Sequence, residues 1–263
     1  MNGIRVEQIE SADQLATHQD AWLDLWRAIA NANPFYHPGM LLPAWEHLGD
    51  SDVKVFLVYQ QDTLLALVPL QLRARFRGAP ARWLRAWGYI HCFNDEPLLH
   101  PQHLQAATSA LLAHWKAQGH QLASWLKLPL DTFPPWPPRS LADDCLPSRR
   151  ACLQPLASDY QPLDQALSKK KLKEYRRQWR RLAEHGELLF EHFDNAEALP
   201  KLDDFLRLEA SGWKGDNDSA LANHQADELF LRAFCHNLAD ASMLQLYQLT
   251  VAGTPVAMLL VLV

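Results

Sequence analysis

Apolar residues recur along the chain with two different periods, and together they predict alternating strands and helices. Segments that alternate or run continuously apolar are typical of strands. They lie at Ile4–Gln8, 53–60, 64–73, 122–128, 187–193, 243–251 and 255–263. Apolar residues spaced three or four apart predict helices. These cover a long stretch between Ser11 and Ile29, then Pro43–Leu48, 103–120, Pro162–Glu184, 197–211 and 226–239.

Two of the strand pairs have similar sequences. "FLVYQQDTLLALVPLQL" (56–72) and "LQLYQLTVAGTPVAMLLVL" (244–262) share a Tyr-Gln step, at Tyr59 and Tyr247, then a short turn and an Ala entering an apolar strand. The pattern predicts two β-hairpins within an internal repeat of strand, helix, helix, strand, strand. Chance similarity between two amphipathic hairpins is the alternative. The proline-rich stretch 129–140 predicts the boundary between the two halves.

Composition and charge exclude several classes of protein. A formal net charge of −5 over 263 residues argues against a surface built throughout for nucleic acid. The cysteines Cys92, Cys145, Cys152 and Cys235 show no CxxC spacing, which indicates reduced thiols in a cytoplasmic protein. The polar N-terminus lacks the features of a signal peptide. The longest apolar run, Val256–Val263, is far shorter than the roughly 20 residues of a membrane span.

Three stretches carry a resemblance to a known family. They are Trp22–Trp45, with a Trp-rich helix followed by "NPFYHP", the basic helix Leu167–Leu188, and "LEASGWKG" at 208–215. Their order and spacing resemble GNAT-fold acyltransferases, specifically the CelD-like branch linked to cellulose and exopolysaccharide biosynthesis. That branch has a FemAB-like tandem arrangement. The resemblance implies an α/β (α+β) fold with one GNAT-like lobe over residues 1–155. The basic linking helix and the first part of a second lobe then occupy residues 156–263.

The resemblance implies acyl transfer from acetyl-CoA or another acyl-CoA to an amine or hydroxyl. The acceptor attacks directly, with a carboxylate or water as base, no covalent enzyme intermediate and no metal. In such folds the donor pyrophosphate binds a strand-to-helix loop, and the sequence ends at Val263 before that loop in the second lobe. We therefore expect the main donor loop beyond Val263 and aggregation of these residues made alone. The segment "RFRGAP" (75–80) matches the Arg-x-x-Gly-x-Gly/Ala pattern of such a loop only in part.

The loop after the 197–211 helix holds the first candidate site. Glu209, Trp213 and Lys214 are the candidate catalytic residues: a base, a stacking surface and a cation for an anionic group. Ser219 follows as a candidate cleft residue. Gly212 and Gly215 are expected to supply positive φ angles at the helix end. The alternative is an ordinary glycine C-cap with a packed Trp and a solvated Lys.

The basic helix is the second candidate site. Residues Lys169–Arg181 contain eight Lys/Arg and one acid, Glu174. Leu172, Tyr175, Trp179 and Leu182 form one apolar stripe, by which we expect the helix to dock. The cations proposed to bind donor phosphates are Lys173, Arg176, Arg177 and Arg180. A solvated helix is the alternative.

The basic helix also supports a different class of function. In this alternative the chain is a non-catalytic binding protein whose helix recognises an anionic polymer, a membrane surface or RNA. The prediction for partners is a small-molecule acyl donor and an unidentified acceptor, with no specific nucleic acid. A peripheral membrane contact is left open.

The segment "HCFNDEPLLHPQH" (91–103) gathers His, Cys, Asp and Glu residues. Its spacing matches no zinc pattern, and no partner for a Cys-His nucleophile is identifiable, so no metal is predicted. The resemblance instead suggests that Asn94 and Asp95 line the cleft between the lobes.

Overall fold

The larger of two sheets lies in the N-terminal part of the chain. The computed structural model describes residues 3–125, Lys127 and residues 167–263. The sheet has strand order β1-β2-β3-β4-β6, and the short β5 also pairs with β3. All these pairings are antiparallel except β4 with β6. The strands are β1 (Ile4–Ile9), β2 (Val53–Gln60), β3 (Thr63–Phe76), β4 (Ala79–Ala86), β5 (Leu98–Leu99) and β6 (Leu122–Ser124).

Helices cover both faces of this sheet. On one face lie α1 (Ala12–Ala16), α2 (Gln19–Ala28) and α3 (Pro38–Leu48), packed on residues such as Val55 and Leu57. On the other face α4 (Leu104–Ala117) packs on Phe56 and Val58. Because successive strand residues point to opposite faces, the nearly continuous apolar run of β2 is buried on both sides.

The C-terminal part begins with a helix and continues as a smaller α/β unit. It contains α5 (Lys169–Ala183), β7 (Leu188–Asp194), α6 (Leu202–Ala210), the single turn α7 (Trp213–Asp216) and α8 (Gln225–Asp240). The strands β8 (Leu244–Val251) and β9 (Thr254–Leu262) follow as a hairpin. The three strands form an antiparallel sheet of order β7-β8-β9.

A single hydrophobic core joins the two parts. Phe230, Leu231 and Phe234 of α8 belong to the same buried cluster as α3 and the β2 residues facing it. The helices α3 and α8 approach closely at Gly39, where an added Cβ would lie 3.1 Å from the Cβ of Asn237. Burying one apolar side chain fully in this shared core stabilises the folded state by about 1.5–3 kcal/mol. The elements of both parts confirm the mixed α/β class predicted from sequence.

The predicted helix from Ser11 to Ile29 is divided in two. Ser11 caps α1, because its hydroxyl accepts from the backbone N–H of Gln14 at 3.3 Å. The Thr17 hydroxyl then donates to the Gln14 carbonyl at 2.7 Å, and α1 ends at Ala16. A side-chain hydrogen bond of this kind competes with the helical backbone pattern, which the apolar spacing alone does not reveal.

The segment "RFRGAP" is a hairpin turn. Arg77 and Gly78, with φ of 47° and 87°, connect β3 to β4, a strand that the sequence analysis did not predict. A turn between antiparallel strands is followed by no helix N-terminus. The segment therefore lacks the geometry of a donor phosphate loop.

The two predicted hairpins share local geometry. Each has a two-residue turn, and each has a register irregularity next to it, between Val58 and Tyr59 and between Leu249 and Thr250. Counted from the turns, Tyr247 matches Phe56, so the two Tyr-Gln steps lie in corresponding strands at positions three residues apart. The tandem-lobe arrangement and the boundary at 155/156 stay predictions, because residues 128–166 lie outside the described part of the chain.

Candidate active site

Glu209 ties together the loop that follows α6. Its carboxylate accepts from Lys214 Nζ at 3.0 Å through Oε1 and from the backbone N–H of Leu221 at 2.8 Å through Oε2. The Glu209 side chain is 11% exposed, whereas that of Lys214 is 44% exposed. One buried carboxylate therefore positions both the ammonium group and the far end of the loop.

Trp213 stands on the outside of this loop with 69% of its surface exposed. The loop beneath it is held by its own hydrogen bonds. The Asn217 amide donates to the Trp213 carbonyl at 2.8 Å, and the Ser219 hydroxyl donates to the Lys214 carbonyl at 3.2 Å. The alternative of a Trp packed on the sheet does not hold. Ser219 contributes to the loop's shape through this bond.

The two glycines act differently from the expectation. Gly212 has φ of −121° and ψ of −159°, which is extended backbone that any residue adopts. Gly215 lies in the turn of α7, where an added Cβ would lie 2.0 Å from the carbonyl oxygen of Ala210. The requirement for glycine at 215 is thus a close approach between backbone segments and not a positive φ.

Three of the four predicted phosphate-binding cations share one border of α5. Lys173, Arg176 and Arg180 line a groove along the helix, together with Lys169 and with Leu172 and Trp179. Arg177 points elsewhere and makes two hydrogen bonds to Glu174, at 2.7 and 3.0 Å. These bonds lower the pKa of Glu174 and raise that of Arg177.

The expected docking of the α5 stripe is not seen. None of the helix residues is buried, and Tyr175 and Trp179 are 46% and 52% exposed. The stripe therefore has an apolar surface that the described part of the chain leaves exposed.

The side chain of Asp95, which was predicted to line the cleft, is instead buried beneath the 91–103 segment. It is 3% exposed, and its Oδ1 accepts from the backbone N–H of Lys127 at 2.9 Å. Asn94 uses its side chain to accept from the N–H of Glu96 at 2.9 Å. The buried Asn33 amide donates to the carbonyls of Asn94 and Glu96, both at 2.9 Å. These contacts shape the loop and do not present the two side chains to a ligand.

The same segment makes a contact with α8 that the sequence analysis missed. His91 Nε2 lies 2.9 Å from Asp227 Oδ1, and the His91 ring stacks on Phe230 with centroids 5.5 Å apart. Next to it Ile90 and Phe93 are 73% and 76% exposed. His91 and its partners on α8 are more than 130 positions apart along the chain, so only the shared core brings them together.

Cysteine and metal chemistry find little support in the described residues. Burial raises the pKa of Cys92 and of Cys235 to about 12, which keeps both thiols protonated and unreactive at neutral pH. Within residues 3–125, 127 and 167–263, no three His, Cys, Asp or Glu side chains form a group that could hold a metal ion. Over the same residues, no helix has the length and apolarity to cross a bilayer.

The C-terminal part matches a known family. Residues 169–263, from the start of α5 to the end of the chain, match the family model described as Acetyltransferase (GNAT) domain. This is about a third of the chain, and it includes α5, the Trp213 loop and the β7-β8-β9 sheet. The match confirms a GNAT acetyltransferase domain over residues 169–263, as the resemblance implied for this part of the chain; the CelD-like and FemAB-like details stay predictions. No curated protein matches the chain in sequence.

Three solved acetyltransferase structures show weak overall similarity to the chain. An aminoglycoside acetyltransferase from an uncultured soil metagenomic sample, in complex with sisomicin, is 10% identical. It aligns over 58% of this chain and 98% of its own, with a TM-score of 0.34. A ribosomal-protein-alanine N-acetyltransferase from Brucella melitensis is 12% identical, covering 58% and 100%, with a TM-score of 0.31. Glucosamine-6-phosphate N-acetyltransferase from Arabidopsis thaliana is 10% identical, covering 48% and 82%, with a TM-score of 0.27. Similarities this weak carry no argument about substrate.

Proposed function

We propose that this chain transfers an acyl group from an acyl-CoA donor to an amine or hydroxyl acceptor, with Trp213 and Lys214 as substrate contacts. The observation that carries the proposal is the exposed Trp213 next to an ammonium group held by Glu209, within the segment that matches the GNAT domain. An exposed indole offers a flat apolar surface, and a fixed ammonium group attracts an anionic substrate group.

Direct attack is the mechanism best supported by these residues. The acceptor nitrogen or oxygen attacks the thioester carbonyl and loses a proton, while the C–S bond breaks and the donor leaves as a thiol. Each oxygen of Glu209 already accepts one hydrogen bond that fixes the carboxylate within the loop, and the side chain is only 11% exposed, so an acceptor has little access to it. We therefore assign Glu209 a positioning role and propose water as the immediate proton acceptor.

The cations of α5 complete the proposal on the donor side. Lys173, Arg176 and Arg180 face one groove, and guanidinium and ammonium groups are the usual partners of phosphate. Arg177 is excluded from this role by its two bonds to Glu174. The donor phosphates are therefore proposed to lie along the Lys173 side of the helix.

Acyl transfer is tested by following thiol release from acetyl-CoA with a panel of primary amines and sugars. Trp213→Ala should raise KM about fivefold, corresponding to roughly 1 kcal/mol of lost stacking. Lys214→Met should raise KM for anionic acceptors only. The matched control is Lys116→Met on α4, an exposed lysine outside the matched segment. If these variants behave like the control, the loop is not the site.

Donor binding is tested separately by titrating the full chain with coenzyme A. Charge reversal at Arg176 and Arg180 should weaken binding about tenfold or more, whereas the single Arg177→Glu variant should have a much smaller effect. Equal losses in the two variants would indicate general charge attraction without a specific phosphate site. Absence of both coenzyme A binding and thiol release would contradict the proposed function as a whole.

A further inference from the structure

The apolar stripe of α5 is not buried by any residue within 3–125, 127 and 167–263. Leu172, Tyr175, Trp179 and Leu182 lie on one side of the helix, yet none of its residues is buried. In α4, by contrast, the corresponding stripe is covered by the sheet, and Leu111 is fully buried. A soluble helix normally buries its apolar face, so an exposed stripe with two aromatic residues indicates an external binding surface.

Cations border this stripe. Lys169, Lys173, Arg176 and Arg180 follow one side of it, and they extend over about 16 Å at 1.5 Å per residue. The acid of the helix, Glu174, is on the far side and is already paired with Arg177. The surface next to the stripe is therefore strongly positive, with no carboxylate of α5 facing it.

We infer that α5 binds to the surface of an anionic lipid bilayer, with its axis parallel to the membrane. The stripe then enters the boundary between headgroups and acyl chains, where Trp and Tyr side chains are favourably placed. Lys169, Arg176 and Arg180 contact lipid phosphates. The inference goes beyond the proposed function and does not depend on it. Both assign phosphate contacts to Arg176 and Arg180, so anionic vesicles and coenzyme A should compete for these two side chains.

The stripe distinguishes a bilayer from other phosphate ligands. Coenzyme A or RNA would satisfy the cations by the same phosphate chemistry and can stack a base on Trp179, which lines the same groove, but either ligand would leave Tyr175 and Leu182 in water. A bilayer interface takes up the apolar and the cationic residues together. Because α5 opens the segment that matches the GNAT domain, binding by α5 would hold that domain next to the lipid surface.

Vesicle co-sedimentation of the full chain tests the inference. The probes are phosphatidylcholine vesicles with and without about 30 mol% phosphatidylglycerol, in about 100 mM NaCl. The unchanged protein should bind the anionic vesicles at least about tenfold more tightly than the neutral ones. The double variant Tyr175→Ser/Trp179→Ser should lose about tenfold or more of this binding although its charge is unchanged.

Matched variants separate the stripe from charge and from folding. Trp213→Ser removes an exposed aromatic residue elsewhere and should leave vesicle binding unchanged. Arg176→Glu/Arg180→Glu should reduce binding more than Lys170→Glu/Arg177→Glu, which makes the same change of charge away from the stripe. The melting temperature of each variant should stay within a few degrees of the parent, because the substituted side chains are exposed.

Three results would overturn the inference. One is equal binding to neutral and anionic vesicles, and another is binding to neither. The third is full binding by the Tyr175→Ser/Trp179→Ser variant, which would assign α5 to a soluble polyanion such as RNA. Loss of vesicle binding by this variant with unchanged affinity for coenzyme A would support the inference and leave the proposed function intact. Failure of acyl transfer alone would not affect it.

Discussion

Replacing Glu209 by Ala should destabilise the protein much more than replacing its ion-pair partner Lys214 by Met. Glu209→Ala removes a hydrogen bond from the backbone N–H of Leu221 to a charged acceptor, worth about 1.5–3 kcal/mol. It also removes the pair with Lys214, which is 44% exposed and so contributes only about 0.2–1 kcal/mol. The expected loss is about 2–4 kcal/mol for Glu209→Ala and less than about 1 kcal/mol for Lys214→Met.

Thermal unfolding by circular dichroism measures both effects. For a chain of this size 1 kcal/mol shifts Tm by about 2–4 °C, so a loss of about 2–4 kcal/mol in Glu209→Ala should lower Tm by roughly 4–16 °C. Lys214→Met should lower it by no more than about 4 °C, and 1 M salt should reduce that shift because an exposed pair is screened. Proteolysis of the Glu209→Ala variant should begin within residues 211–224, because this loop has lost the hydrogen bonds from Lys214 and Leu221 to the carboxylate.

Equal Tm shifts in the two variants would refute this account of the loop. The bond from Leu221 would then contribute nothing, and the role of Glu209 would be limited to the surface ion pair. A Glu209→Ala variant with unchanged Tm would equally remove the basis for a positioning role in catalysis.

Two further predictions follow from backbone packing and from burial. Gly215→Ala should destabilise the protein by about 1–3 kcal/mol because its Cβ meets the carbonyl of Ala210, whereas Gly212→Ala, with open space around it, should change Tm by less than about 2 °C. Equal effects of the two would contradict the packing argument. Burial lowers the pKa of His37 to about 4, and its neutral Nδ1 accepts from the N–H of Gly39. Stability from this group is complete above its unfolded pKa of about 6.5 and is lost as the pH falls towards 4, so His37→Asn should show a flatter stability profile in urea titrations between these pH values.

Local patterns predicted much of the secondary structure. The hairpin of β8 and β9 and the helix α8 appear close to their predicted limits, because apolar periodicity reports which face of a segment is buried. The basic helix was predicted from Pro162, but α5 begins at Lys169, after its cap Ser168. The sequence left both an exposed and a packed Trp213 open, and the structure shows it 69% exposed although neither neighbouring glycine supplies the expected positive φ. The acyltransferase class was expected only through the family resemblance of three stretches, Trp22–Trp45, Leu167–Leu188 and 208–215.

Contacts between distant residues determined the rest. The sequence alone shows that Asn94, Asp95 and Glu209 are polar, but their roles depend on Asn33, Lys127 and Leu221, which are 12 to 61 residues away. A side-chain hydrogen bond across the fold leaves no periodic signal. The sequence of α5 predicted an amphipathic basic helix, and only the tertiary structure decided that its apolar stripe lies open to solvent, because burial depends on which surfaces the folded chain brings together.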